Sequence, residues 1–128
     1  MLGLSFKPNT DDLRESASIL VTEELIKQGA EVVAYDPIAM DNAKTVLNSS
    51  IQYADSIEEA IENSDAALIL TDWDEIKNVD LTVFNKMKNP LVIDGRNCFL
   101  VKDMETHGIE YRSIGRPAAV QKNEVTPI

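Results

Sequence analysis

At 128 residues, with 44% hydrophobic and 27% charged side chains, the chain has the size and composition of one globular domain with a real core, which excludes a disordered or fibrous class. The formal charge of −10 argues against a nucleic-acid or anionic-membrane partner, because such partners select for positive patches; an anionic ligand would need a few local cations or backbone N–H groups. The longest apolar stretches, such as residues 66–70, fall far short of the ~20 residues of a membrane span, no signal peptide is visible, and the single Cys98 cannot form an internal disulfide, so a cytoplasmic setting is expected.

Residues 1–6 form a short apolar run that stops at Lys7-Pro8-Asn9-Thr10, which predicts a buried strand followed by a loop. Apolar residues then recur with helical spacing at Leu13, Ala17, Leu20, Val21 and Leu25. Asp12 with Glu15 three residues later resembles a capping box, and Gly29 suits the stop. A second strand is expected at residues 31–35, ended by Asp36-Pro37, and a second helix at 39–47. A weak strand near 51–53, a helix over 57–63 and a strong strand at 66–70 follow, with a loop or helix start at Thr71-Asp72-Trp73-Asp74. Residues 81–87 predict a helix, 91–94 a buried strand, 103–106 part of a short helix, and 109–113 a last strand. Such alternation predicts an α/β fold: a Rossmann-like three-layer domain with a mostly parallel sheet, covered on both faces and joined by right-handed crossovers. The domain is expected over residues 1–115, with 116–128, which lack periodicity, as an exit segment and flexible tail.

In a sheet of this kind ligands bind outside the carboxyl ends of the strands. Lys7 follows the first strand, Arg14 falls in the first turn of the first predicted helix, and Arg96 follows the strand ending Ile93-Asp94. Three cations thus gather on one predicted edge of an acidic chain, which is the placement a bound phosphate or pyrophosphate needs. Lys7 and Arg96 also fit ordinary loop charges, since exposed Lys and Arg are the default. Arg14 opposes the helix dipole by about 0.3–1 kcal/mol, which favours a role with an anion. Asp11 and Asp12 are expected to be caps, not paired catalytic carboxylates. Trp73 reads as a packing residue, His107 as a complement to a helix C-terminus, and Cys98 as a small buried residue and not an activated thiolate. One His and one Cys do not make a zinc site, so no metal is expected. Neither a Gly-x-Gly-x-x-Gly nor a Gly-x-x-x-x-Gly-Lys motif occurs, so the likeness of Asp36 to the ribose-binding acid of a dinucleotide site stands without its fingerprint.

The stretch from Gly3 to Ser16 (GLSFKPNTDDLRES) closely resembles the signature that opens the carboxy-terminal, UDP-binding domain of the UDP-glucose and GDP-mannose dehydrogenase family. Further matches follow in order: Gly29-Ala30, Ala34-Tyr35-Asp36-Pro37, Leu70-Thr71-Asp72-Trp73-Asp74-Glu75, Asp94-Gly95-Arg96-Asn97, and Tyr111-Arg112-Ser113-Ile114-Gly115-Arg116-Pro117. The Phe-Lys-Pro-Asn-Thr-Asp-Asp stretch and the Ser-Ile-Gly-Arg-Pro ending look most like the UDP-glucose branch. Members of that branch oxidise the C6 hydroxyl of UDP-glucose to the carboxylate of UDP-glucuronate in two NAD-dependent steps, through a cysteine-bound thiohemiacetal and thioester. The resemblance implies that Phe6, Lys7 and Arg96 contact the UDP-sugar and that Arg14 contacts NAD across a domain cleft. It also implies a part in nucleotide-sugar metabolism and polysaccharide biosynthesis, and a full-length enzyme that is a homodimer or larger. The family's glycine loop, catalytic cysteine, partner lysine and asparagine, and long central helix have no counterpart here. Hence no catalytic residue is expected in this chain, NAD is expected to be bound mainly by an N-terminal domain outside it, and the chain is expected to be an inactive, truncated copy of a longer enzyme. UDP-N-acetylmannosamine or GDP-mannose dehydrogenase domains, and a stand-alone nucleotide-binding module, are the alternatives.

Overall fold

The computed structural model describes residues 1–114 and Ala119. Five helices and five strands alternate along them: α1 (Ala17–Lys27), β1 (Val33–Ala34), α2 (Met40–Val46), β2 (Gln52–Tyr53), α3 (Ile57–Ile61), β3 (Ala67–Ile69), α4 (Asp74–Lys77), β4 (Leu91–Asp94), α5 (Val101–Thr106) and β5 (Glu110–Ser113), with a 3-10 helix at Leu81–Lys86. β1 pairs with β2, β3 with β4 and β4 with β5, all in parallel. Leu2 joins the two pieces, bridging in parallel to Tyr35 on one side and Ile69 on the other. The order across the sheet is therefore β2, β1, the opening segment, β3, β4, β5. With the opening segment counted as first, this is the 3-2-1-4-5-6 order of a doubly wound fold. The chain reverses its winding direction between the opening segment and β3, and ligands bind such sheets in the crevice at that point.

Two apolar clusters hold the layers. Leu4, Leu13, Ala34, Ala39, Ala43, Leu47 and Ile51 pack with Ile19, Val21 and Leu25 beneath α1 and α2. The larger cluster gathers β3, β4 and β5 with the helices that connect them, and includes Ile61, Ile69, Ile76, Val92 and Met104. Within it Phe99 meets Phe84 and Tyr111 edge-on, with ring centroids 5.9 and 6.3 Å apart. Helices thus lie on both faces, but Ile93 is 42% exposed in the middle strand β4. Its face of β3–β5 is open among the described residues.

The first helix starts later than its periodicity predicts. Glu15 adopts φ 61, a left-handed conformation that no helix continues through, and Ser16 is the cap, its Oγ accepting from Ser18 N at 3.1 Å. Both serine hydroxyls donate at 2.7 Å to the carbonyl of Leu4, so a contact with the opening segment sets where α1 begins. Asp12 is consequently not a helix cap; its Oδ1 accepts from Arg14 N at 2.9 Å, in a turn. The other end of α1 follows the expected chemistry. Gly29, at φ 89, donates to Ile26 O at 3.0 Å, and Ala30 donates to Leu25 O at 2.9 Å, closing a Schellman motif. Of the expected exit segment, Ala119 is described, buried and paired antiparallel with Tyr111; residues 116–118 and 120–128 lie outside the described residues.

Candidate functional site

The carboxyl ends of the opening segment, β3 and β4 come together at the switch point. Thr71, just after β3, donates its hydroxyl to Ser5 O at 2.7 Å, and Gly95, just after β4, donates its N–H to Ile69 O at 2.9 Å. The loop beyond Ser5 is tied to itself: Phe6 N donates to Asp12 O at 2.8 Å and Ser5 Oγ to Lys7 O at 2.8 Å. Lys7 and half-exposed Phe6 are held at its rim.

Arg96 crosses this junction. Its backbone N–H donates to Asp94 Oδ1 at 2.8 Å, its Nη2 to the carbonyl of Phe6 at 2.6 Å, and its Nη1 to Asp72 Oδ1 at 3.2 Å. Arg96 and the Phe6-Lys7 loop, 90 residues apart in the chain, are thereby neighbours. Arg14 stands outside the junction, with a side chain 90% exposed and forked onto Asp12 at 2.9–3.3 Å. Hydrogen bonds from the Arg14 side chain and backbone, and more weakly the charge of Lys7, hold the Asp12 carboxyl below its ordinary range. The structure brings Arg96 to the Phe6-Lys7 loop, whereas Arg14 lies outside this junction, before α1 and not in its first turn. The dipole reason for singling it out does not apply. A shallow depression of about 560 Å³ opens beside Arg14, away from Arg96, and its lining includes the acidic residues Asp11 and Asp12 as well as Leu13, Ile19 and Asn42.

Three acids end strands at this edge, and of them the sequence singled out only Asp36, for its likeness to a ribose-binding acid without the glycine fingerprint. Asp36 is fully buried and accepts from Leu4 N, Ser5 N, Ile38 N, Ala39 N and Trp73 Nε1. Trp73 is thus a hydrogen-bond donor as well as a packing residue. Asp94, 1% exposed, accepts from Arg96 N, from Cys98 N at 2.7 Å and from the Tyr111 hydroxyl at 2.6 Å. Asp72 is the partner of Arg96. Their shared signal is legible in the sequence: each follows within three residues the last residue of a β-strand or is that residue, and Asp36 and Asp94 there take the free N–H groups of the next turn.

Cys98, half-buried behind Asp94, has its thiol pushed up to about 12 by burial, reinforced by Asp94 and Asp72. Its thiolate is scarce at neutral pH. Relative to an ordinary thiol near 9, the folded chain should hold about a thousandfold less thiolate at pH 8, so alkylation by iodoacetamide should be slow in buffer and fast in urea. His107, at the end of α5, places Nδ1 2.8 Å from Asp103 O, to which only a protonated Nδ1 can donate. No helix among the described residues is long and apolar enough to cross a membrane.

The strand order and the loop junction define a doubly wound, Rossmann-like α/β domain with Arg96 fixed at its switch point. The chain belongs to the UDP-glucose/GDP-mannose dehydrogenase family, whose UDP binding domain matches residues 1–100. It is 47% identical over 126 residues to the UDP-glucose 6-dehydrogenase YwqF of Bacillus subtilis, covering 98% of this chain and 29% of that protein. Among solved structures it is similar to a UDP-glucose dehydrogenase from Pyrobaculum islandicum, at 35% identity and TM-score 0.69 over 87% of this chain and 23% of that one. An NDP-N-acetyl-D-galactosaminuronic acid dehydrogenase from Methanosarcina mazei gives 30% identity and TM-score 0.74 over 91% and 24%. The chain thus spans between a fifth and a third of the length of these relatives.

Proposed function

We propose that the chain is the UDP-sugar-binding domain of a UDP-glucose 6-dehydrogenase, inactive alone and completed by the N-terminal and central parts of a longer enzyme. The observation that carries this is the fixing of Arg96 against the Phe6 carbonyl beside Lys7, at the switch point of the sheet. Arg96 and Lys7 would neutralise the diphosphate, Arg96 through a planar donor set and Lys7 as a point charge. Phe6, 42% exposed next to them, offers an aromatic wall to the nucleotide.

The residues present do not fit a dinucleotide site. Asp36, at the position of a ribose-binding acid, spends both carboxylate oxygens on five internal donors, and the space around Gly3 is filled by Thr71. NAD is therefore assigned to the rest of the enzyme, with exposed Arg14 reaching it from this side. The similarity to the Methanosarcina mazei protein supports a second reading, in which the sugar is an N-acetylated one. UDP titration followed by NMR tests the UDP site that both readings share. UDP, UDP-glucose and UDP-N-acetylmannosamine should perturb the same carboxyl-edge amides, and Lys7→Ala or Arg96→Ala should each weaken UDP binding by ~1–3 kcal/mol. Titrations in which neither variant differs from wild type would remove these residues from the site, and NADH formation from UDP-glucose by the chain alone would refute its inactivity.

A further inference from the structure

Asp72 is an anion placed where an anionic ligand is to bind. On charge alone it is out of place. Its carboxylate takes Nη1 of Arg96 while the Phe6 carbonyl takes Nη2, so the guanidinium is gripped from two loops while its own backbone is fixed to Asp94 in a third. Among the described residues two of the five guanidinium N–H groups are engaged in this way, which leaves the others for a ligand. The ion pair is about one-third exposed on each side, and pairs that exposed contribute little to stability, so folding gives a weak reason for Asp72 to be acidic.

We propose that Asp72 is a positioning residue: it holds the Arg96 guanidinium at the switch point so that its free N–H groups meet the diphosphate without first losing rotamer freedom. The inference rests on the carboxyl edge being the UDP site, and its sign separates it from electrostatics. Removing an anion beside an anion site strengthens binding by Coulomb's law; removing a positioning residue weakens it. In NMR titrations of the 128-residue chain, Asp72→Ala should raise the dissociation constant for UDP roughly 3–10-fold. Asp72→Glu should recover most of that loss, with the urea midpoint of both variants close to wild type. Unchanged or tighter UDP binding by Asp72→Ala overturns the proposal. The ligand-free chain gives an independent reading: the Arg96 Nε–H resonance should be sharp in wild type and exchange-broadened in Asp72→Ala. Equal signals in the two overturn the positioning role even where UDP binds. A wild-type chain that binds no UDP, yet shows that difference, overturns instead the assignment of the edge to UDP and leaves Arg96 held for another anion, which inorganic pyrophosphate titrated in the same way would reveal.

Discussion

Replacing Asp36 with Ala is expected to destabilise the chain by ~3–5 kcal/mol. The carboxylate is fully buried at the end of β1 and organises three segments at once. Oδ2 accepts from Leu4 N at 2.7 Å and Ser5 N at 3.3 Å in the opening segment and from Trp73 Nε1 at 3.1 Å beyond β3; Oδ1 accepts from Ile38 N at 2.9 Å and Ala39 N at 2.8 Å ahead of α2. Truncation strands five donors in a buried site. Each orphaned group costs about 1–3 kcal/mol, but water entering the new cavity recovers part of the sum, hence the lower total. Asp36→Asn separates charge from geometry. Whichever way the amide turns, its NH₂ faces N–H donors, so the variant should lose nearly as much as Ala although its volume is unchanged. Urea unfolding followed by the fluorescence of Trp73, the single tryptophan, measures both, because that indole is itself one of the five donors. A loss below 1 kcal/mol for Asp36→Ala would mean that water replaces the carboxylate freely and that the switch point is wet.

The example also marks how far the sequence could be read. The strands at Val33–Ala34, Ala67–Ile69 and Leu91–Asp94 and the helices between them fall where apolar periodicity and Gly or Pro breaks place them, because those signals are local. Given the alternation, topology dictates which strand ends share an edge, so Lys7 and Arg96 could be picked out together although 89 positions separate them. What could not be read is anything decided by a hydrogen bond between distant segments. Ser16 and Ser18 start α1 because both reach Leu4 O, and no feature of the run from Asp12 to Ala17 announces that bond; the capping-box pattern there is satisfied instead by a turn and an Arg14 fork. Asp36 carries the same lesson in the opposite direction. Its position at a strand end suggests a ribose ligand, and only the five donors around it show that its capacity is already used. The helix dipole expected to oppose Arg14 is not there, because α1 begins only at Ala17, and the interest of Arg14 rests on the family resemblance and on its exposed side chain.

Gly3→Ala should come close to Asp36→Ala in effect, at ~2–5 kcal/mol, and for a reason that a paired substitution can isolate. Gly3 and Gly29 both have a positive φ, 87 and 89, so an L side chain is strained at either. Their surroundings differ. A Cβ at Gly29 meets nothing within 4 Å, whereas one at Gly3 falls 2.5 Å from Thr71 Cβ and 2.7 Å from Thr71 N. The second contact is with backbone and cannot be relieved by a rotamer change. Gly29→Ala should therefore cost about 1 kcal/mol, the conformational penalty alone, and Gly3→Ala should cost more, because the new methyl group also forces the opening segment away from the residue that follows β3. That displacement would strain the hydrogen bonds from Gly3 N to Tyr35 O, at 2.9 Å, and from Thr71 Oγ1 to Ser5 O, at 2.7 Å, which hold the Phe6-Lys7 loop against the edge. The affinity for UDP should consequently fall in Gly3→Ala even under conditions where the variant remains folded, while Gly29→Ala, at the far end of α1, should bind UDP as wild type does. Equal losses of stability at the two glycines would show that Thr71 yields to the new methyl group, and that the junction at the switch point is softer than its close packing implies.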